Sequence, residues 1–109
     1  MNILVPLDGS GDSQKALLQA CDLAKNYQAN LILVYVVEKS HSLNLLDRKE
    51  YLEILRKFGN KVLIKGKQTA KNKGIDVTTT MKEGNISNEI VKLAKNKKCN
   101  LIFITKIKK

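Results

Sequence analysis

Four apolar runs separated by three segments of helical periodicity constrain the fold of this chain most strongly. The runs occupy residues 3–7, 31–37, 75–81 and 101–104. The first, second and fourth are almost continuously apolar, as expected for strands covered on both faces. The third contains Thr78, Thr79 and Thr80 and is therefore predicted at an edge of the sheet. Strands alternating with helices through right-handed crossovers predict an α/β fold, with a parallel sheet and helices on both faces.

The ends of the predicted helices are marked by capping residues. Ser10 or Asp12 can cap the first helix, and Asn85 can cap the third, after a turn predicted at Glu83 and Gly84. The second helix is predicted to run from about residue 47 to residue 73.

In the second helix, the positions predicted to face the sheet share helical spacing. They are Tyr51, Leu55, Phe58, Val62, Gly66 and Thr69. The corresponding positions of the first helix are Ala16, Leu17, Ala20, Ala24 and Tyr27. Gly66 would allow a close approach to the sheet, and Gly74 is expected to end the second helix.

The length of 109 residues suits one domain with its own core, and we expect residues 1–109 to form one. No apolar run approaches the roughly 18 residues needed to span a membrane. Met1 leads directly into the first strand, without the charged and apolar regions of a secretory signal. The sequence therefore predicts a cytoplasmic protein.

The net charge of +10 is concentrated in the second half of the chain. Residues 1–54 carry five basic and seven acidic groups, whereas residues 55–109 carry fifteen basic and three acidic groups. Such a basic half can mark a nucleic-acid surface or an ordinary lysine-rich exterior. All but two of the basic residues are Lys, and there is no aromatic platform for stacking bases. We therefore expect no specific nucleic-acid partner.

Candidate catalytic and metal-binding residues are few. Cys21 and Cys99 belong to no C-x-x-C motif, and His41 is the sole histidine, so the sequence predicts no metal site and two structural thiols. The loop after the first strand offers Asp8 and Ser10, but no pairing of a base with a nucleophile. We therefore predict that the chain is not an enzyme.

Four segments in sequence order resemble the universal stress protein family. Residues 5–10, Val-Pro-Leu-Asp-Gly-Ser, are similar to the first strand and loop of that family. Residues 30–37 resemble its second strand, residues 82–85 its third strand–helix junction, and residues 100–104 its fourth strand. The resemblance implies a Rossmann-like fold of the adenine nucleotide alpha hydrolase type, with strand order 3-2-1-4.

The resemblance also implies a nucleotide crevice beside the first strand. Pro6, Leu7 and Asp8 would hold the adenosine end of ATP, Asp8 by accepting bonds from ribose hydroxyls, and the backbone near Val36 would read the adenine. Asp8 can equally serve only to order its own loop. The family's glycine-rich phosphate motif would begin at Thr105, with its second glycine at Lys108 and the rest beyond Lys109. We therefore expect ATP binding to be weak or lost and predict no firm cofactor.

These features together predict a non-catalytic stress-response or regulatory module that acts by dimerisation or partner binding. An adenine-nucleotide binder that uses the adenosine end of the crevice is the alternative, and a weak nucleic-acid binder is a second alternative. We expect a homodimer that forms through an exposed fourth strand. Alternatively, Lys106, Lys108 and Lys109 would prevent pairing at that edge and keep the protein monomeric.

Overall fold

The computed structural model describes residues 1–39 and 45–104, with side chains from residue 48 onward in the second range. The predictions made for His41, Thr105, Lys106, Lys108 and Lys109 lie outside these residues. The strands are β1 (Asn2–Pro6), β2 (Asn30–Glu38), β3 (Val77–Gly84) and β4 (Leu101–Ile102). The helices are α1 (Gly11–Tyr27), α2 (Leu45–Asn72) and α3 (Ile86–Asn96).

The four strands form one parallel sheet in the order β3-β2-β1-β4, which confirms the predicted order and the edge position of β3. Opposite β1, Pro6 is the last residue in register, and its partner in β2 is Val34. The ladder between β2 and β3 is longer and continues from the pair Leu31–Val77 to the pair Glu38–Gly84. As a result, β2 extends past the end of β1.

Helices cover both faces of the sheet, as predicted. Leu17 of α1 and Leu63 of α2 are buried in one core cluster with Leu33 of β2. On the opposite face, Leu93 of α3 is buried against Leu4 and other central residues. The central strands are thus shielded from water on both sides, which explains why their sequences are continuously apolar.

Of the two residues predicted to cap helix α1, Ser10 is the one that does so. The Ser10 hydroxyl accepts a hydrogen bond from the Ser13 backbone N–H at 3.1 Å, so Ser10 is the cap and Asp12 lies within the first turn. The prediction that Tyr27 faces the sheet is wrong, because its side chain is 63% exposed at the last position of the helix. Cys21 is buried in the core and Cys99 is partly buried, and burial raises the pKa of both thiols.

The predicted inner face of α2 is wrong for two aromatic residues. Tyr51 and Phe58 are exposed by 42% and 45%, whereas the buried positions include Leu52 and Leu63. The inward stripe of the helix is therefore rotated relative to the prediction. The stripe includes Leu52, Gly59, Leu63, Gly66 and Ala70.

The predicted close approach at Gly66 is confirmed. A Cβ atom at this position would lie only 2.7 Å from Leu7 Cδ1 and 3.1 Å from Leu33 Cδ1. Any other residue would force these leucine side chains or α2 itself to shift. Gly74 also follows the end of α2 as predicted, with a φ of +80°.

The bounds of β3 and β4 differ from their predictions. β3 starts later than predicted and continues through Glu83 and Gly84, which were predicted as a turn, because both residues stay in register with β2. Asn85 is the single residue between β3 and α3. Its side chain caps α3 by accepting a hydrogen bond from the Asn88 backbone N–H at 3.0 Å. β4 covers only the first half of the predicted strand 101–104, since its register with β1 ends at the pair Leu4–Ile102.

Candidate functional site

A pocket of about 400 Å³ opens at the carboxyl edge of the sheet. It lies where β1 and β2 end, next to the boundary between β1 and β4 at which the order of successive strands in the sheet reverses. Ligands of open parallel α/β sheets bind in this position. Tyr51 and Leu55 of α2 line one wall, and Ile86 and Ile90 of α3 line the other.

All four residues predicted to bind a ligand line this pocket. Pro6, Leu7 and Asp8 contribute the end of β1 and the loop that follows it, and Val36 contributes the neighbouring stretch of β2. Residues separated by about 30 positions in the sequence are therefore brought together, as the parallel pairing of β1 with β2 requires.

The Asp8 carboxylate is held in place by the loop that leads into α1. Its Oδ1 atom accepts a hydrogen bond from the Ser10 backbone N–H at 2.8 Å. Partial burial raises the pKa of Asp8, but hydrogen bonds from Ser10 and Ser13 outweigh this effect and leave the pKa below its ordinary value. Asp8 is therefore an ionised hydrogen-bond acceptor at neutral pH.

Val36 pairs with Lys82 of β3 on one side, whereas on the side of β1 no described strand residue pairs with its backbone, which faces the pocket. The Leu7 N–H donates to the Val34 carbonyl at 2.8 Å, so the polar groups of Val34 point towards β1. In a strand, the N–H and C=O groups of alternate residues point to the same side, so those of Val36 point that way too. Because β1 ends at Pro6, opposite Val34, a ligand can reach one donor and one acceptor at Val36.

Sequence reasoning missed several residues that shape the pocket. Tyr35 follows Val34 in β2 and lines the pocket although it is only 8% exposed. Burial, followed by the negative charge of the nearby Asp8, raises the pKa of its phenol. Its ring packs edge-to-face against Phe58, with centroids 6.0 Å apart. The hydrophobic pattern of β2 predicts that Tyr35 is buried but not that it lies beside Asp8.

The charged residues among those that line the described part of the pocket are both acidic. They are Asp8 and Glu38, the last residue of β2. The rest of the described lining is aliphatic apart from Pro6, Tyr35 and Tyr51. The pocket is therefore suited to a ligand with an apolar, planar or ring-like body and a few hydrogen-bonding groups.

A cluster of charges lies just outside the pocket, where β2 and β3 end. Glu83 binds Arg56 of α2 through two hydrogen bonds and lies 3.3 Å from Lys39 Nζ. The bonds from Arg56, which exceed the opposing effect of desolvation, lower the pKa of Glu83 to about 2. This cluster joins α2 to β3 and to the residue that follows Glu38.

Within the described residues, no helix is both long enough and apolar enough to span a membrane.

Comparison with known proteins identifies the family. The model of the universal stress protein family matches residues 1–109. The chain belongs to the universal stress protein family. A universal stress protein of Methanocaldococcus jannaschii is 36% identical over 105 residues, an alignment that covers 94% of this chain and 62% of that relative. The chain therefore spans less than two thirds of this relative's length.

Two further similarities agree with this membership. A universal stress protein of Bacillus subtilis is 35% identical over 112 residues, which covers 94% of this chain and 76% of the relative. The solved structure of a universal stress protein from Lactobacillus plantarum has a TM-score of 0.84 and 27% identity, with 94% of this chain and 74% of that one covered.

More distant universal stress proteins share the fold. One, at 22% identity and a TM-score of 0.73, was solved in complex with cAMP and covers 94% of this chain and 73% of its own. Another, from Arabidopsis thaliana, was solved with AMP bound. It has 11% identity and a TM-score of 0.72, and the match covers 94% of this chain and 74% of that one.

Proposed function

We propose that this universal stress protein is a non-catalytic regulatory module whose pocket binds the adenosine end of an adenine nucleotide. One observation carries the proposal: an ionised carboxylate at Asp8 and a free backbone edge at Val36 line the same pocket of about 400 Å³. This volume lies within the range of about 300–1,000 Å³ typical of small-molecule sites.

Each part of adenosine has a matching group in the pocket. The two ribose hydroxyls are donors, and the Asp8 carboxylate is an acceptor that the Ser10 N–H already orients. One edge of adenine presents a donor beside an acceptor, the same pair of groups that Val36 offers. The aliphatic side chains of Leu55 and Ile90 form walls against which the faces of the base can pack.

The distant relatives support an adenine ligand in this fold, since the two solved complexes contain cAMP and AMP. A regulatory role is favoured over catalysis by the chemistry of the lining. Its described residues include no His, Cys, Ser or Lys that would act as a base or nucleophile. Binding would then act by stabilising one conformation or one partner complex.

The first test of the proposal is an amide NMR titration with adenosine. Binding in the pocket should shift the backbone signals of Leu7, Asp8 and Val36. The signals of Asn2 and Lys97, which lie at the opposite end of the sheet near the amino ends of the strands, should stay unchanged. Guanosine is the matched control, because its base reverses the donor and acceptor presented to Val36. Shifts confined to the opposite edge, or equal shifts with both nucleosides, would argue against this site.

A further inference from the structure

β3 is an edge strand that leaves eight residues of backbone available on one side. It pairs with β2 from Val77 to Gly84, and among the described residues no strand lies on its other side. By comparison, β4, the edge predicted from the sequence to mediate a dimer, pairs over only two residues. The longer edge offers more backbone donors and acceptors to a partner.

The outward-pointing groups of β3 follow from one hydrogen bond. The Lys39 N–H donates to the Gly84 carbonyl at 3.1 Å, so Gly84 points towards β2. Alternation along the strand then directs the N–H and C=O groups of Val77, Thr79 and Met81 away from the sheet. These three residues form the free hydrogen-bonding edge.

The devices that normally prevent edge pairing are absent from the centre of this strand. Residues 77–81 contain no charge, no proline and no glycine, and the threonine at position 78 is exposed. Charges occur only at the two ends of the segment, with Asp76 before it and Lys82 after it. Among the described residues, neither of these forms an ion pair within the chain.

We propose that β3 pairs antiparallel with β3 of a second copy of this chain, about a two-fold axis at Thr79. In this register, Val77 lies opposite Met81 of the second copy, and Thr79 lies opposite Thr79. Each of these outward-facing pairs exchanges two backbone hydrogen bonds. The intervening pairs join Thr78 to Thr80, a favourable cross-strand combination.

Charge complementarity selects this register and this occupant. The same two-fold axis sets Asp76 opposite Lys82 of the second copy, and symmetry makes the pair occur twice. Opposite charges directly across an antiparallel pair stabilise it, whereas like charges destabilise it. Shifting the axis by one residue would lose both pairs and would set Glu83, already bound by Arg56, opposite Val77.

The interface leaves the ligand pocket open. β3 is separated from β1 by β2, and the pocket lies at the carboxyl ends of β1 and β2. The dimer therefore forms with or without a nucleotide, and the inference does not rest on the proposed function. The net charge of +10 on each copy opposes association at low ionic strength, so added salt should strengthen the dimer up to about 0.15 M.

Sedimentation equilibrium on four forms of the full chain tests the register. Lys82→Asp lowers the net charge of each copy, so general repulsion alone would tighten the dimer, whereas the proposed pairing predicts that the dissociation constant rises about tenfold or more. Asp76→Lys should weaken the dimer as well. The double variant Asp76→Lys, Lys82→Asp keeps the original net charge and should restore the affinity to within about threefold.

Thr79→Pro is the matched backbone variant. It removes an N–H that points away from β2, so the hydrogen bonds between β2 and β3 are kept. An unchanged circular dichroism spectrum and an unchanged Tm would show that the variant is folded. The variant should be monomeric, whereas Leu101→Lys in β4 should leave the dimer intact. A wild-type chain that stays monomeric, a double variant that is not rescued, or a dimer lost with Leu101→Lys but kept with Thr79→Pro would overturn the proposal.

Discussion

The guanidinium group of Arg56 binds the carboxylate of Glu83 through two hydrogen bonds, of 2.5 Å from Nε and 2.8 Å from Nη2. This bidentate pair joins α2 to the end of β3, and Lys39 at the end of β2 completes it. One carboxylate just outside the ligand pocket thereby holds together α2 and the ends of β2 and β3. The contribution of this ion pair to the stability of the fold depends on pH.

The stabilising effect of Glu83 should disappear in acid. Its pKa falls from an ordinary value of 4.5 to about 2 in the folded chain, so the ionised form stabilises the fold above about pH 4.5. That contribution is lost as the pH falls from 4.5 through 2. In thermal unfolding, the Tm values of the wild type and of Glu83→Gln should therefore differ at pH 6 and converge near pH 2.

The expected difference at pH 6 is small, at most about 5 °C in Tm, because both side chains are partly exposed and solvent screens the pair. Glu50→Gln, which changes an exposed carboxylate of α2, is the control and should change the Tm little at either pH. A Glu83→Gln effect that persists undiminished at pH 2 would contradict the assignment to this ion pair.

Substitution of Gly59 should destabilise the fold. A Cβ atom there would lie 2.5 Å from Tyr35 Cδ2 and 2.8 Å from Met81 Cε, which is closer than real atoms approach. Gly59→Ala should therefore lower the free energy of unfolding by about 1–3 kcal/mol. Gly11→Ala is the control, since nothing lies within 4 Å of its added methyl group. Equal stabilities of the two variants in chemical denaturation would show that α2 packs less closely than described.

Phosphates should add little to the affinity for adenosine. The described charges in the pocket lining, Asp8 and Glu38, are both acidic and repel a phosphate group. We therefore expect ATP to bind no more tightly than adenosine, and Glu38→Lys to raise the affinity for ATP relative to adenosine by about tenfold. Glu53→Lys, on α2 but outside the pocket lining, should leave that ratio unchanged. Calorimetry with both ligands measures it, and an ATP affinity far above that of adenosine in the wild type would refute this expectation.

Nucleic-acid binding should be weak and non-specific. The basic residues of the second half are almost all lysines, which attract phosphates as point charges. Such binding depends on counterion release and falls steeply with salt. In a gel-shift assay, retention of DNA or RNA at low ionic strength should vanish near 0.15 M salt, where the screening length is about 8 Å. Tight retention at that salt concentration would reveal a functional basic surface.

The strands were predictable because their burial dictates their composition, and their order followed from the resemblance to the universal stress protein family. A continuous apolar run such as residues 31–37 is typical of a strand that is covered on both faces. The glycine and serine that follow Asp8 predict the loop at that position. The inner face of α2 was not predictable in the same way. Tyr51 and Phe58 have the helical spacing of core residues, yet Tyr51 lines the pocket and Phe58 packs its edge against Tyr35.

The walls of the pocket also required the structure. Ile86 and Ile90 have the spacing of an amphipathic helix, which predicts an apolar face but not its neighbours. Their position beside Val36 depends on the register between β2 and β3, which continues as far as Gly84. No local signal in the sequence indicates that β3 extends through Glu83, because the Glu-Gly-Asn segment is typical of a turn.

Calorimetric titration of the chain with adenosine tests the central claim most directly. The account predicts saturable binding to one site and a dissociation constant that rises about 10- to 100-fold in Asp8→Ala, because a hydrogen bond to a charged acceptor is lost. Asp22→Ala, which removes an exposed carboxylate of α1 that does not line the pocket, should bind adenosine as the wild type does. Absence of binding by the wild type, or equal affinities in the wild type and Asp8→Ala, would contradict the account.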